Sequence, residues 1–161
     1  SISTHNVLRS NGGDALMQTF NRDKGETLLF HGTGSNMIQT LVENGFDERY
    51  ARLNPKGTWG LYGAGVYFGE DPAKADQYCM DTPYGKKEQP GDDGLFHMIM
   101  GRVALGSVHF CGHGVKTGTI TTPPNGKDSM LAEFKKIGFR EFIIYEGDYA
   151  YPEYVIQYRR Q

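Results

Sequence analysis

The chain has little of what usually makes a sequence easy to place. It carries 2 cysteines and 1 tryptophan in 161 residues. Cys79 and Cys111 cannot build the bridge framework of a small secreted domain, so a reducing compartment is expected. No apolar run approaches the ~20 residues of a membrane span, and the first residues lack the apolar centre of a signal peptide. These absences favour a soluble, intracellular protein, cytoplasmic or nuclear, without a membrane partner; a secreted effector is the alternative. Charge of either sign is not in surplus: 17 basic against 19 acidic residues give a net charge of -2. That balance supplies no polybasic field for nucleic acid or lipid. Internal repeats, low-complexity tracts and domain linkers are missing too. The length suits one domain over residues 1–161 with a single core, and the initial Ser1 is consistent with a piece of something longer.

What the chain does have is glycine, 22 residues, and 12% aromatics, which point to a turn-rich fold containing β-structure. The most informative stretch is residues 62–78, YGAGVYFGEDPAKADQY. Gly63 and Gly65 precede a short apolar strand, Val66-Tyr67-Phe68. Asp71 before Pro72 is a helix start: a side-chain acceptor at the cap, then a ring that presets φ. On that helix Lys74, Ala75 and Tyr78 share a face. The strand-helix corner therefore returns Tyr78 towards Tyr67, and two rings held apart make a slot for a flat ligand. Two ordinary core tyrosines are the competing reading.

Upstream, residues 1–24 suggest one short strand and one short helix, separated by the turn Asn11-Gly12-Gly13. Thr27–Phe30 reads as a buried strand ending in His31-Gly32-Thr33. Ser35 is placed to cap a helix carrying Met37, Ile38, Leu41 and Val42, closed by Gly45. The loop between offers backbone amides and a helix start to an anion or a carboxamide. Downstream, residues 81–94 read as a loop and Leu95–Gly106 as one long strand interrupted at Gly101. His109, Cys111 and His113 could share a strand face, but the paired Cys-x-x-Cys spacing of structural zinc is missing, and no metal is expected. Asp128 is placed to cap a helix bearing Met130, Leu131, Phe134 and Ile137, ended by Gly138. Glu141–Tyr145 and Val155–Tyr158 read as strands that pair antiparallel at the end of the domain.

The wording of residues 62–78, with His31-Gly32-Thr33 before it and Glu141-Phe-Ile-Ile-Tyr145 after it, resembles the poly(ADP-ribose) polymerase-type ADP-ribosyltransferases. The resemblance runs from about Leu28 to Tyr158 and is nearest in wording to the tankyrase branch. It implies an α+β fold, the ADP-ribosyltransferase fold: two packed, mainly antiparallel sheets with a few short helices around an NAD cleft. It implies a catalytic set of His31, Tyr67 and Glu141 in the family's chain order. Gly32 would hold the nicotinamide carboxamide through its backbone, with Thr33 beside it. Tyr67 and Tyr78 would stack on nicotinamide, His31 would donate to the adenosine ribose, and Lys74 would reach the catalytic glutamate or substrate hydroxyls. Asp47 and Tyr50 match positions near the adenosine, although an ordinary surface loop fits them equally well. Asn54-Pro55-Lys56-Gly57 lengthens that loop beyond the tankyrase pattern.

One position departs from the family. Ala75 stands where a serine hydroxyl usually meets the nicotinamide amide, so weaker binding of NAD and of nicotinamide mimics is expected. The implied reaction takes NAD as substrate and moves ADP-ribose to an acceptor, protein side chains foremost, the chain itself included. A glutamate in the third place permits elongation without requiring it, so mono- versus poly-ADP-ribosylation stays open. An NAD glycohydrolase toxin and a non-catalytic NAD or ADP-ribose binding module are the alternatives. The segment upstream of Leu28 is too short for a helical autoinhibitory domain, and activity without DNA is the expectation.

Overall fold

The computed structural model describes residues 19–52, 60–79, 90–112, 118–134 and 138–160. The strand and helix expected near the N-terminus, the inserted segment Asn54–Gly57, the loop over 81–89, and His113 lie outside these residues. The described residues include seven strands, three short α-helices and three 3-10 turns. β1 (Glu26–Gly32), α1 (Ser35–Asn44), α2 (Arg49–Arg52), β2 (Val66–Gly69) and α3 (Pro72–Asp76) come first. β3 (Phe96–Ala104), β4 (Val108–Cys111), β5 (Ser129–Phe134), β6 (Phe139–Ile144) and β7 (Ala150–Tyr158) follow. No helix among the described residues is long and apolar enough to cross a membrane.

The strands hydrogen-bond in the order β4-β5-β6-β2-β1-β3-β7. Every pairing is antiparallel except β4 with β5. The two sheets expected from the sequence are two halves of this order, β7-β3-β1 and β2-β6-β5-β4. They meet at a single rung, Phe30 opposite Gly69. The apolar faces of the two halves share one core of Leu29, Ile99 and Val103 from one half with Val66, Phe68 and Ile144 from the other. α1 closes this core with Leu41, and Phe46 joins it just beyond the helix. A second cluster, Tyr62, Cys111, Met130, Ala132, Ile143 and Tyr145, fills the other face of β5 and β6.

Local signals were borne out where they were strong. Asp71 accepts a hydrogen bond from the Ala73 amide, with Pro72 in the first turn of α3. Gly45 ends α1 at a positive φ of 78°, its N–H bonded to the Leu41 carbonyl. Leu95–Gly106 is one strand in its centre, β3, with a register shift between Met100 and Gly101 where it meets β7. Pro152 sits on that edge strand opposite Gly101, where a missing N–H is tolerated.

Four expectations need correction. α1 begins at Ser35 itself, with Gly34 as the cap residue and no side-chain cap. Tyr78 lies in the turn just past α3, its N–H bonded to the Ala75 carbonyl, rather than on the helix. The segment after Asp128 is strand β5, not a helix. It is internal, with β4 on one edge and β6 on the other, and packs apolar residues on both faces, so the alternation of a half-exposed strand is lost. The Asp128 carboxylate instead binds the Ser107 amide and hydroxyl at 2.7 and 2.8 Å. Finally, β6 and β7 do not pair. Both edges of β6 are taken by β2 and β5, and the chain turns through Gly147–Tyr149 to reach β3.

Candidate active site

A cleft of ≈ 560 Å³ is lined by residues of both halves, from β1 on one side and β2 and β6 on the other, a size that suits a small-molecule substrate. Every site residue expected from the sequence lies on its wall. β1 and the residue after it contribute His31, Gly32 and Thr33; Asp47 and Tyr50 come from the start of α2 and the segment before it. Tyr67 comes from β2, Lys74, Ala75 and Tyr78 from α3 and the turn beyond it, and Glu141 from β6.

His31 is wedged in aromatic packing, 5.3 Å from Phe46 and 5.5 Å from Phe68 between ring centroids. Its Nδ1 lies 2.8 Å from the Tyr67 carbonyl, which can only accept, so Nδ1 carries the proton. Burial lowers the pKa of the ring below its ordinary value, with that backbone contact opposing the shift. The imidazole is therefore neutral at pH 7, with a lone pair on Nε2.

Tyr67 is locked at its far end. Its hydroxyl donates to the Gly63 carbonyl at 2.8 Å and accepts from the Tyr62 amide at 3.0 Å. The ring lies on Gly60, where a Cβ would stand 2.4 Å from the Tyr67 oxygen. Burial pushes this phenol's pKa up, so it stays protonated. Tyr78 faces it with 46% of its surface open. The floor between the rings is backbone against backbone: a Cβ on Gly32 would come within 1.9 Å of the Ala75 carbonyl oxygen. Glycine at 32 is what allows β1 and α3 to touch, and Ala75 is buried at the contact.

Glu141 is 8% exposed and pairs with Lys74, Nζ to Oε1 3.3 Å. The Lys74 ammonium also lies 3.4 Å from the Tyr78 hydroxyl and 5.1 Å from its ring centre. Desolvation pulls the lysine's pKa down, but Glu141 and Tyr78 outweigh it and leave it above the ordinary value. The cleft thus holds a carboxylate already paired to a cation, beside two aromatic rings and a neutral imidazole. At the other end Asp47 is clasped by Arg49, which reaches both carboxylate oxygens at 2.7–3.0 Å. Among the described residues no group of three or more metal-ligating side chains is close enough to hold an ion.

Several wall residues were not singled out from the sequence. Phe46, Gly60, Leu61 and Phe139 all line the cleft. Of these only Phe139 carried a signal, since it stands two residues before Glu141 on the same strand face.

A mainly antiparallel sheet split around a cleft with this His-Tyr-Glu arrangement defines the class: NAD-dependent ADP-ribosyltransferase domains. The sequence pattern of the poly(ADP-ribose) polymerase catalytic domain matches residues 8–138, so the chain belongs to that family. Its relatives include the mouse protein mono-ADP-ribosyltransferase PARP12, 28% identical over 94% of this chain and 18% of that protein. The poly [ADP-ribose] polymerase tankyrase of Caenorhabditis elegans is 22% identical over 88% of this chain and 7% of that protein. The poly [ADP-ribose] polymerase 1 of Arabidopsis thaliana is 32% identical over 78% of this chain and 12% of that protein. The chain thus spans less than a fifth of the length of each of these three.

Proposed function

We propose that this cleft binds NAD and moves its ADP-ribose to a nucleophile on protein, the chain itself included. The observation that carries the reading is the convergence of His31, Tyr67 and Glu141, from three strands, on one cleft. Nicotinamide lies between Tyr67 and Tyr78, its carboxamide against the Gly32 backbone. His31, with Nδ1–H committed to the Tyr67 carbonyl, accepts at Nε2 from a hydroxyl of the adenosine ribose, the reverse of the donor role expected from the sequence. Asp47 and Tyr50 flank the adenosine.

Cleavage breaks the bond between ribose C1′ and nicotinamide nitrogen, and the bonding pair leaves with nicotinamide. The ribose becomes oxocarbenium-like, as in glycosidase chemistry. The Glu141 carboxylate, near the ribose 2-hydroxyl, stabilises that charge, and Lys74 holds the carboxylate in place. The acceptor's lone pair then bonds to C1′, and its proton, where it has one, passes to Glu141. NAD is consumed as a substrate and the chemistry calls for no metal.

Nicotinamide release from NAD, followed for wild type and Glu141→Gln, tests the proposal. Loss of about 10²-fold or more in kcat, with NAD affinity retained, is expected for a group acting in the transition state. Equal turnover in the two proteins would refute the role of Glu141. Absence of turnover in both would favour a binding module, and release without labelled protein would favour a glycohydrolase.

A further inference from the structure

We infer that Glu70 and Arg140, neither of which lines the cleft, are a positioning pair that holds Glu141 against Lys74. The inference rests on the proposed role of Glu141. In the β2–β6 register Gly69 stands opposite Glu141. Glu70 follows Gly69 and Arg140 precedes Glu141, so in this antiparallel register the two charges come together one step along, on one side of the rung that carries the reactive carboxylate. They meet in a two-point bridge: Arg140 Nε to Glu70 Oε1 at 2.6 Å, with Nη2 on Oε2. Glu70 is 8% exposed, and a forked guanidinium contact fixes angle as well as distance. Arg140 also lies over the Phe142 ring at 5.9 Å and opposite Glu133 of β5.

The same bridge governs the other partner. Glu70 leads directly into Asp71, the cap of α3, and three residues later into Lys74. The Lys74 stem crosses the strand at Gly69, where a Cβ would stand 3.4 Å from the lysine Cβ. Lys74 reaches Glu141 over a glycine, while the Glu70–Arg140 bridge clamps the two strands together immediately beside that rung. Loosening the clamp lets the β2 end and the β6 start slide, and the 3.3 Å Lys74–Glu141 contact is what that slip changes. The nicotinamide slot is spared, because Tyr67 is tied to Gly63 and Gly32 rests on Ala75.

A pair that only stabilised the fold would lower the melting temperature and leave turnover per folded molecule alone. The experiment measures kcat and KM for nicotinamide release, with binding-competent sites counted by calorimetry using a carbocyclic, non-cleavable NAD analogue. Arg140→Lys keeps the charge and loses the fork, and Glu70→Gln keeps the shape; both are milder than a truncation that would strand a buried charge. Each is expected to lower kcat per site roughly ten-fold or more, with KM and analogue affinity held within about two-fold, as a misplaced reacting group requires. The exchange Glu70→Arg with Arg140→Glu restores the pair and recovers much of the loss. Wild-type kcat per site in both single variants, with or without a lower melting temperature, would overturn the inference, as would a KM rising in step with the fall in kcat. If Glu141→Gln turned over like wild type, the reading of Glu141 would fail first and this inference with it.

Discussion

His31 shows how one contact sets both chemistry and stability. Its folded pKa is lowered, so between that value and the ordinary 6.5 the unfolded chain binds more protons than the folded one. The sign follows: this contribution is whole above pH 6.5, and is lost as pH falls through 6.5 towards the folded value. His31→Gln is expected to flatten the fall in melting temperature between neutral and mildly acidic pH; parallel curves for the two proteins would count against it. Ala75 gives a second test at this scale. It is buried on the cleft wall, in the slot proposed for nicotinamide, and a hydroxyl there can bond an amide ligand. One such bond contributes on the order of 1 kcal/mol, about five-fold in affinity. Calorimetry with a nicotinamide mimic is expected to show that gain in Ala75→Ser, and no gain would sink the idea. The residues proposed to bear this chemistry could be singled out because they sit in short phrases whose spacing is local. Glu70 and Arg140 were not, since they are 70 positions apart and become neighbours only through the β2–β6 register.

Elements were legible where a single local force decides them. A capped start such as Asp71-Pro72 and a positive-φ glycine stop such as Gly45 are independent of the rest of the chain. β5 was misread as a helix because its neighbours β4 and β6 bury it on both faces, and Met130 and Leu131 answer to different cores. The pairing of β6 with β7 was misread for a topological reason. Adjacent strands in sequence usually pair, but β2, β1 and β3 stand between these two. At this scale the contact of β1 with α3 is the sharpest target. Gly32→Ala would drive a methyl into the Ala75 carbonyl, so the strand and helix must separate by more than 1 Å. Binding of a nicotinamide mimic is expected to fall at least ten-fold, the cost of such a misplacement. Unchanged binding would mean that the slot does not depend on this contact. A clasp further along α3 supports the same element: Asp76 receives Tyr158 and, at 3.0 Å, Arg160 from the end of β7.

At the largest scale the described residues form one seven-stranded sheet whose halves share a single rung, with residues of both halves lining the cleft. The net charge of -2 gives the chain no overall polybasic character, and we propose that its turnover is unchanged by nicked DNA. A large rate increase on adding it would contradict that. The general architecture was legible because the motif phrases fix which strand ends must converge; the join between halves was not, because a single rung leaves no mark in composition or period. If Glu141 in this cleft drives ADP-ribosyl transfer, labelling of protein depends on it. The chain is incubated with NAD labelled in its adenylate and run on a denaturing gel beside Glu141→Ala. Label on protein is expected for the wild type, as a sharp band or a ladder according to product length, and none for the variant. Equal labelling of both, or none of either with a suitable acceptor present, would contradict that role of Glu141.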